Sequence, residues 1–411
     1  MRRDFDLVIV GGAMAGAGAA ALLATAQGTA GLRIALLESR PVAAPAAGAA
    51  LDLRVSALSR ASQRLLERTG AWPAVIARGA AAYQRMTIWE EQATPEGPGA
   101  LHFDAAELGE PDLGHIVENR AVQAALLSRA TAAGVVLLQA GFSSHARGGD
   151  VIRIATADGR EYGTALLIGA DGSESAVRSQ AGITTRSRDY EQRAVVTHLS
   201  CEHGHRDTAW QRFLDTGPLA LLPLADGRVS LVWSTAPTLA EELLRCSEAE
   251  FAARVTAASA GVLGQLCPTA ARAAFPLRLV HARRYTAPRI ALIGDAAHTV
   301  HPLAGQGINL AFMDAAALVD VIGAALAAGD DPGEPAVLRR YERWRRAEAM
   351  PAIALLDGIK RLFHGSDKLQ SRLRRAGLDL VEASTPVKRL LMQRALGVAG
   401  EVPASVRRPL S

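Results

Sequence analysis

Short apolar runs ending on glycine or an acid recur along the 411-residue chain. Leu7–Val10, Ile34–Leu37, Ala165–Ile168 and Ile290–Ile293 each lead into a Gly- or acid-bearing turn, the pattern of strands buried on both faces of a parallel sheet. They predict a central sheet. Met86–Trp89, Leu101–Phe103, Ala194–Leu199, Leu219–Leu224 and Val229–Trp233 differ in character and predict a second, mainly antiparallel sheet. After Arg339 the pattern turns helical, with RRYERWRRAEAM, AIALLDGIKRLF and VKRLLMQRAL, while PVAAPAAGAA at 41–50 reads as a loop. The fold class is therefore α/β, a Rossmann-like unit interleaved with a second sheet and closed by C-terminal helices.

Composition narrows the class without naming a function. Hydrophobic residues make up 49% and charged residues 21%, the balance of a folded soluble protein rather than a disordered or collagenous one. Cys201, Cys246 and Cys267 lack paired spacing, which argues against a disulfide framework or zinc module and for a reducing compartment. The opening MRRDFDLVIVGG is interrupted by acids and glycines. No signal peptide is expected there, and the chain is expected to begin at its first methionine in the cytoplasm.

The net charge of +4 hides an asymmetry, because residues 339–411 hold 16 Lys and Arg against 7 Asp and Glu. No aromatic-interleaved motif accompanies this basic end, so nucleic acid is not expected as a partner. Three readings stay open for it: a solvated face, a protein contact, or a lipid-facing surface. Leu390, Leu391 and Leu396 beside Lys388, Arg389 and Arg394 suit the last, but any amphipathic helix packed on a core looks similar.

Three motifs carry chemistry. DLVIVGGAMAGAGAAALLA places a strand before Gly11, Ala13 and Gly16 and then an Ala-rich helix. Gly11 permits the tight turn, position 13 lets backbone approach a pyrophosphate, and Gly16 lets helix pack on strand. Ala13 replaces the usual middle glycine. Glu38 ends the next strand 22 residues after Gly16, where a carboxylate can accept ribose hydroxyls; a Gly-rich turn with a surface acid is the bland alternative. In ALLIGADGSESAVR (165–178) a strand runs to Asp171 and Gly172. In IALIGDAAHTVHPLAGQGINLAFMDA (290–315) a strand meets Gly294 and Asp295, then Gly305 and Gly307, then a helix expected near Ile308. Those glycines free the backbone to meet a flat ligand, and the helix offers its positive end.

The ordered set GxxxxG, DG and GDAAH…P…GQGxN resembles the FAD-dependent aromatic hydroxylases of the para-hydroxybenzoate hydroxylase superfamily. DLRVSALS (52–59), YQRMTIWE (83–90), LGHIVENR (113–120) and HPLAGQGINLAFMDA (301–315) resemble its ubiquinone-biosynthesis branch, and the likeness runs from about residue 5 to about residue 390. The resemblance implies a discontinuous FAD-binding domain (1–78, 105–183, 276–340), a substrate-binding β-sheet domain (79–104, 184–275) and a C-terminal helical region (341–411). It implies FAD held by Gly11, Ala13, Gly16, Glu38, Arg54, Asn119, Asp171, Arg178, Gly294, Asp295, Pro302, Gly305, Gln306, Gly307, Ile308 and Asn309. Backbone at Pro302 and Gly307 would face the reactive part of the flavin. Ala311 replaces a glycine common after Asn-Leu in this branch.

His298 and His301 stand at metal-like spacing, yet no third ligand is convincing beyond Asp295. His298 is expected to pack or hydrogen-bond and His301 to border a substrate cavity. Trp210, Phe213 and Trp233 fall in the second sheet and read either as core or as substrate-pocket wall.

The implied reaction is ring hydroxylation: NADH or NADPH reduces FAD, O2 adds at flavin C4a, and the hydroperoxide attacks a polyprenylated phenol or benzoquinol. A flavin dehydrogenase or reductase acting on a prenyl substrate, and a non-catalytic FAD-holding accessory subunit, stay open as alternatives. The implied partners are a prenylated aromatic substrate and O2, with the inner face of a membrane, other ubiquinone-biosynthesis proteins and a second copy of the chain left open.

Overall fold

The computed structural model describes residues 3–46, 48–299, 307–363 and 368–407. The four all-apolar runs come together in one sheet. Its order is Thr286–Ala287, Ile290–Leu292, Glu161–Gly169, Phe5–Val10, Ile34–Leu37, Val136–Leu138. Phe5–Val10 pairs in parallel with both neighbours, Leu7 opposite Leu166 on one side and Ile34 on the other. Leu7, Val8, Ile9 and Val10 are all buried, which is why this run does not alternate. Val151–Thr156 and Phe142–Gly148 extend Glu161–Gly169 as an antiparallel flap that the apolar runs do not predict.

The helix Met14–Thr25 packs on this sheet through small residues. A methyl added at Gly18 would sit 3.0 Å from the Phe312 ring, so alanine and glycine here allow close approach of the helix Gly307–Ala327. The latter is long and apolar enough to cross a membrane by length and composition, yet 61% of its apolar stretch is buried within the protein. Its hydrophobicity serves the core.

The second sheet has nine strands among the described residues and contains every run predicted for it. Its order begins His298–Thr299, Ala273–Ala282, Thr185–Cys201, Val229–Thr235, Gly217–Pro223, Thr208–Leu214, Arg85–Glu90, Ala100–Asp104. All pairs are antiparallel except Thr208–Leu214 with Arg85–Glu90. Ala273–Ala282 spans the boundary expected at 275/276. A small three-stranded sheet, Val55–Leu58, Gly114–Glu118 and Ala81–Tyr83, lies apart from both in pairing.

RRYERWRRAEAM and AIALLDGIKRLF lie on one helix, Pro335–Phe363, with Pro351 inside it. Lys368–Ala383 and Thr385–Ala395 then dock on the second sheet. Arg375 pairs with buried Glu90, Asp379 accepts the Gly99 N–H at 2.7 Å, and Lys388 lies 2.9 Å from Glu107 and 3.2 Å from Glu382. Much of the basic tail is thus spent inside the chain. Leu396 is buried, Leu391 is half-buried and Leu390 is exposed.

Candidate functional site

A cavity of about 780 Å³ lies between the two sheets. Its walls bring together the separated motifs: Gly11, Ala13, Glu38, Arg54, Asn119, Asp171, Asp295, Gly307 and Ile308 all line it. The first strand ends at Val10, and Gly11 takes φ +102°. A Cβ there would fall 2.4 Å from the Ala170 carbonyl oxygen, and one at Gly16 only 1.9 Å from that of Gly11. Neither position admits a side chain. Gly16 therefore shapes the turn from behind and does not line the cavity. Ala13 is the N-cap of Met14–Thr25 at φ −67°, ψ 178°, ordinary extended backbone that a methyl group tolerates.

Around this turn the polar groups are ordered by the chain itself. Glu38 accepts the N–H of Gly12 and of Arg40, each at 2.8 Å. Asp171 accepts from Ser175 Oγ and from the Val177 N–H at 3.1 Å, so it holds Ser175, the N-cap of the short helix Ala176–Gln180, while lining the cavity. Asn119 donates its backbone N–H to the Arg54 carbonyl at 3.0 Å. Its side-chain Oδ1 is buried with no hydrogen-bond partner among the described residues, an acceptor left for a ligand to satisfy.

Asp295 projects from the turn Gly294–Ala296 into the cavity. Its side chain keeps exposed surface, yet the protein packed around it pushes its pKa above the ordinary carboxylate value, with His298 and Arg54 pulling it back. The guanidinium of Arg54 stacks 5.6 Å from the Phe275 ring centroid, a cation–π contact at the seam between nucleotide turn and second sheet. The helix Gly307–Ala327 starts at the cavity, so its positive end is directed to this region.

Besides Gly16, three more residues expected to hold FAD do not line the cavity. Arg178 is buried and spends its guanidinium on the carbonyls of Ala296 (3.0 Å) and Ser173 (2.7 Å), bracing two cavity turns without lining the cavity. Asn309 accepts from the Ser59 N–H and Ser62 Oγ at 2.9 and 2.7 Å and donates to Ala57 at 2.9 Å. It pins the helix start to residues 57–62. Gly294, at φ +58°, packs between Ala15 and Ala311, and Ala311 itself lines the cavity. His301, Pro302, Gly305 and Gln306 lie outside the described residues.

Of the two readings left open for Trp210, Phe213 and Trp233, the structure gives core. Trp233 packs in the core beneath the second sheet, Phe213 against Leu101 and Leu378, and Trp210 edge-on to Trp89 at 6.2 Å. None of the three lines the cavity. Trp210 and Trp233 stand on the sheet face opposite Ala220 and Val232, whereas Phe213 shares the face of Ala220 but lies at the end of its strand, covered by Leu378 of the C-terminal helices. On the cavity side Ala194, Val196, Ala220, Leu222, Val232 and Leu277 form an apolar bay, with Phe275, Pro276 and Arg278 lining the cavity beside it. The i, i+2 pairs Ala194/Val196 and Ala220/Leu222 share a sheet face by strand alternation, a signal that small residues made easy to overlook.

His298 Nε2 lies 2.7 Å from Asp314 Oδ2, which turns the ring toward the buried helix carboxylate. A backbone cradle, an orphaned acceptor, a helix start and ribose-suited carboxylates in one cavity fit a dinucleotide that extends toward the second sheet.

Residues 4–355 match the family described as FAD binding domain. The chain belongs to that family. Within it, the chain is 36% identical over 396 residues to ubiquinone hydroxylase UbiL of Rhodospirillum rubrum, covering 95% of this chain and 89% of the relative. It is 37% identical to 3-demethoxyubiquinol 3-hydroxylase of Escherichia coli K12, covering 96% of this chain and 98% of that one. The human ubiquinone biosynthesis monooxygenase COQ6 is 36% identical, with 94% and 92% covered. Among solved structures, p-nitrophenol 4-monooxygenase PnpA from Pseudomonas putida aligns with TM-score 0.74 at 18% identity, over 96% of this chain and 99% of that one, a likeness of fold. The chain is thus an FAD-dependent member of the ubiquinone-hydroxylase group, as its motifs imply.

Proposed function

We propose that this FAD-dependent monooxygenase hydroxylates the ring of a polyprenylated phenol or benzoquinol in ubiquinone biosynthesis, with NADH or NADPH as electron donor. One observation carries the reading: a single cavity runs from the nucleotide turns to an apolar bay on the second sheet. The curated relatives act, by name, on ubiquinone precursors or in ubiquinone biosynthesis.

FAD, when bound, supplies electron transfer and dioxygen activation. Glu38, Arg54, Asn119, Asp171, Asp295 and the backbone of Gly11, Gly307 and Ile308 would hold it. Ala194, Val196, Ala220, Leu222, Val232 and Leu277 exclude water and seat an apolar ring beside the cofactor region. Among the described residues no carboxylate or histidine lines that bay, and the chain's part in the chemistry there is positioning and desolvation.

A prenylated substrate lives in a bilayer, and Leu380, Val387 and Leu390 are exposed on the docked C-terminal helices. This supports work at the inner membrane surface. Turnover under 18O2 with mass spectrometry of the product tests the reaction. A hydroxylated product carrying 18O is expected; a product without label would overturn the proposal.

A further inference from the structure

Asp314 lies about two turns into the helix Gly307–Ala327 and is fully buried, with no exposed surface. Its carboxylate is nonetheless surrounded by donors from three different elements. Oδ2 accepts the Gly294 N–H at 3.0 Å and lies 2.7 Å from His298 Nε2; Oδ1 accepts from Arg345 Nε at 2.8 Å. His298 and Arg345 are themselves buried. An isolated buried carboxylate would be strongly disfavoured. Burial alone would raise its pKa, but His298 and Arg345 outweigh that and hold it below the ordinary value.

The placement of the donors matters more than their number. Gly294 immediately precedes Asp295, and His298 immediately precedes Thr299; Asp295 and Thr299 line the cavity. Gly294 takes φ +58°, and a Cβ there would stand 3.0 Å from Ala15 and 3.1 Å from Ala311, so the turn is built for glycine. Arg345 comes from the long helix Pro335–Phe363.

We infer that Asp314 is a positioning residue for the cofactor-facing turn, acting through Gly294 on Asp295 and through His298 on Thr299, with Arg345 tying that turn to the C-terminal helix. This deepens the FAD reading and rests on it. The neutral isostere Asp314→Asn presents one oxygen where two are needed and points an NH2 at an existing donor.

The test combines FAD titration by flavin fluorescence with hydrogen exchange of the peptide covering 290–299 in the flavin-free chain. For Asp314→Asn the FAD Kd is expected to rise about tenfold or more, as for loss of a charge-assisted hydrogen bond, with faster exchange confined to 290–299. His298→Leu is expected to behave alike, whereas His298→Gln, which keeps an N–H donor, stays within about threefold of the parent chain. Unchanged affinity and exchange in Asp314→Asn would overturn the inference, as would exchange accelerated evenly across the chain. Should Asp314→Asn fail to fold, the two His298 variants decide, and identical behaviour of Gln and Leu overturns it. A parent chain that binds no FAD would instead defeat the family reading, while the exchange measurement still judges Asp314.

Discussion

Glu38 Oε2 accepts the backbone N–H of Gly12 at 2.8 Å, joining the end of the second strand to the turn after the first. Oε1 does the same for Arg40 at 2.8 Å. The carboxylate expected to take ribose hydroxyls is therefore also the clasp of the loop that meets the pyrophosphate. It has lone pairs for both tasks. Replacing it by alanine removes two charge-assisted hydrogen bonds, each worth about 1.5–3 kcal/mol. Glu38→Ala should weaken FAD binding by about tenfold to a hundredfold and Glu38→Gln by less. A fluorescence titration in which both match the parent chain would remove Glu38 from the site.

Ala13 and Gly16 make opposite predictions from the same motif. Ala13 sits in extended backbone, so Ala13→Gly relieves no strain and only adds freedom to the unfolded chain, costing about 0.4–1 kcal/mol. Its FAD affinity should stay within about twofold. Gly16→Ala puts a methyl carbon on the Gly11 carbonyl, and no flexible side chain can yield there. That variant should purify without flavin and melt at lower temperature; a yellow Gly16→Ala protein would show that the turn adapts.

The contrast shows what the amino-acid pattern could disclose. Motifs whose meaning is local were legible: the buried runs at 7–10, 34–37, 165–168 and 290–293 lie in or overlap strands of one sheet, and the glycines mark the turns. Residues whose role depends on distant partners were not. Arg178 and Asn309 carry motif identities that suggest ligands, yet their partners at 296 and at 57–62 consume them. The basic tail looked like a surface because Arg375 meets its acid, Glu90, 285 residues earlier. Aromatic residues suggested a pocket wall, but a bulky ring fills a core as readily, and alanines made the bay.

The bay yields a direct test. Ala220 lines it from the strand Gly217–Pro223 and is buried. Ala220→Phe would fill space the substrate ring needs, at a packing cost of about 1–3 kcal/mol. The nucleotide turns are untouched, so FAD affinity should hold within about threefold while substrate-stimulated NAD(P)H consumption falls by about tenfold or more. Equal turnover in the variant would move the substrate site elsewhere.

Asp295 joins stability to function with a definite sign. Enclosure raises its folded pKa above the value in the unfolded chain, which lies near about 3.9. The folded state therefore holds this proton more tightly, and stability is lost as pH rises through the unfolded and then the folded pKa. At neutral pH the ionised carboxylate is a liability that the fold carries for its ligand. Asp295→Asn removes it. The flavin-free variant should melt at higher temperature than the parent at pH 7.5, and the gain should shrink as pH is lowered toward 4, where the parent regains its proton. Its FAD affinity should fall over the same range because a carboxylate acceptor for a hydroxyl is gone. Melting curves with a pH-independent difference would mean that folding leaves the Asp295 carboxyl unperturbed and that its ionisation costs the fold nothing.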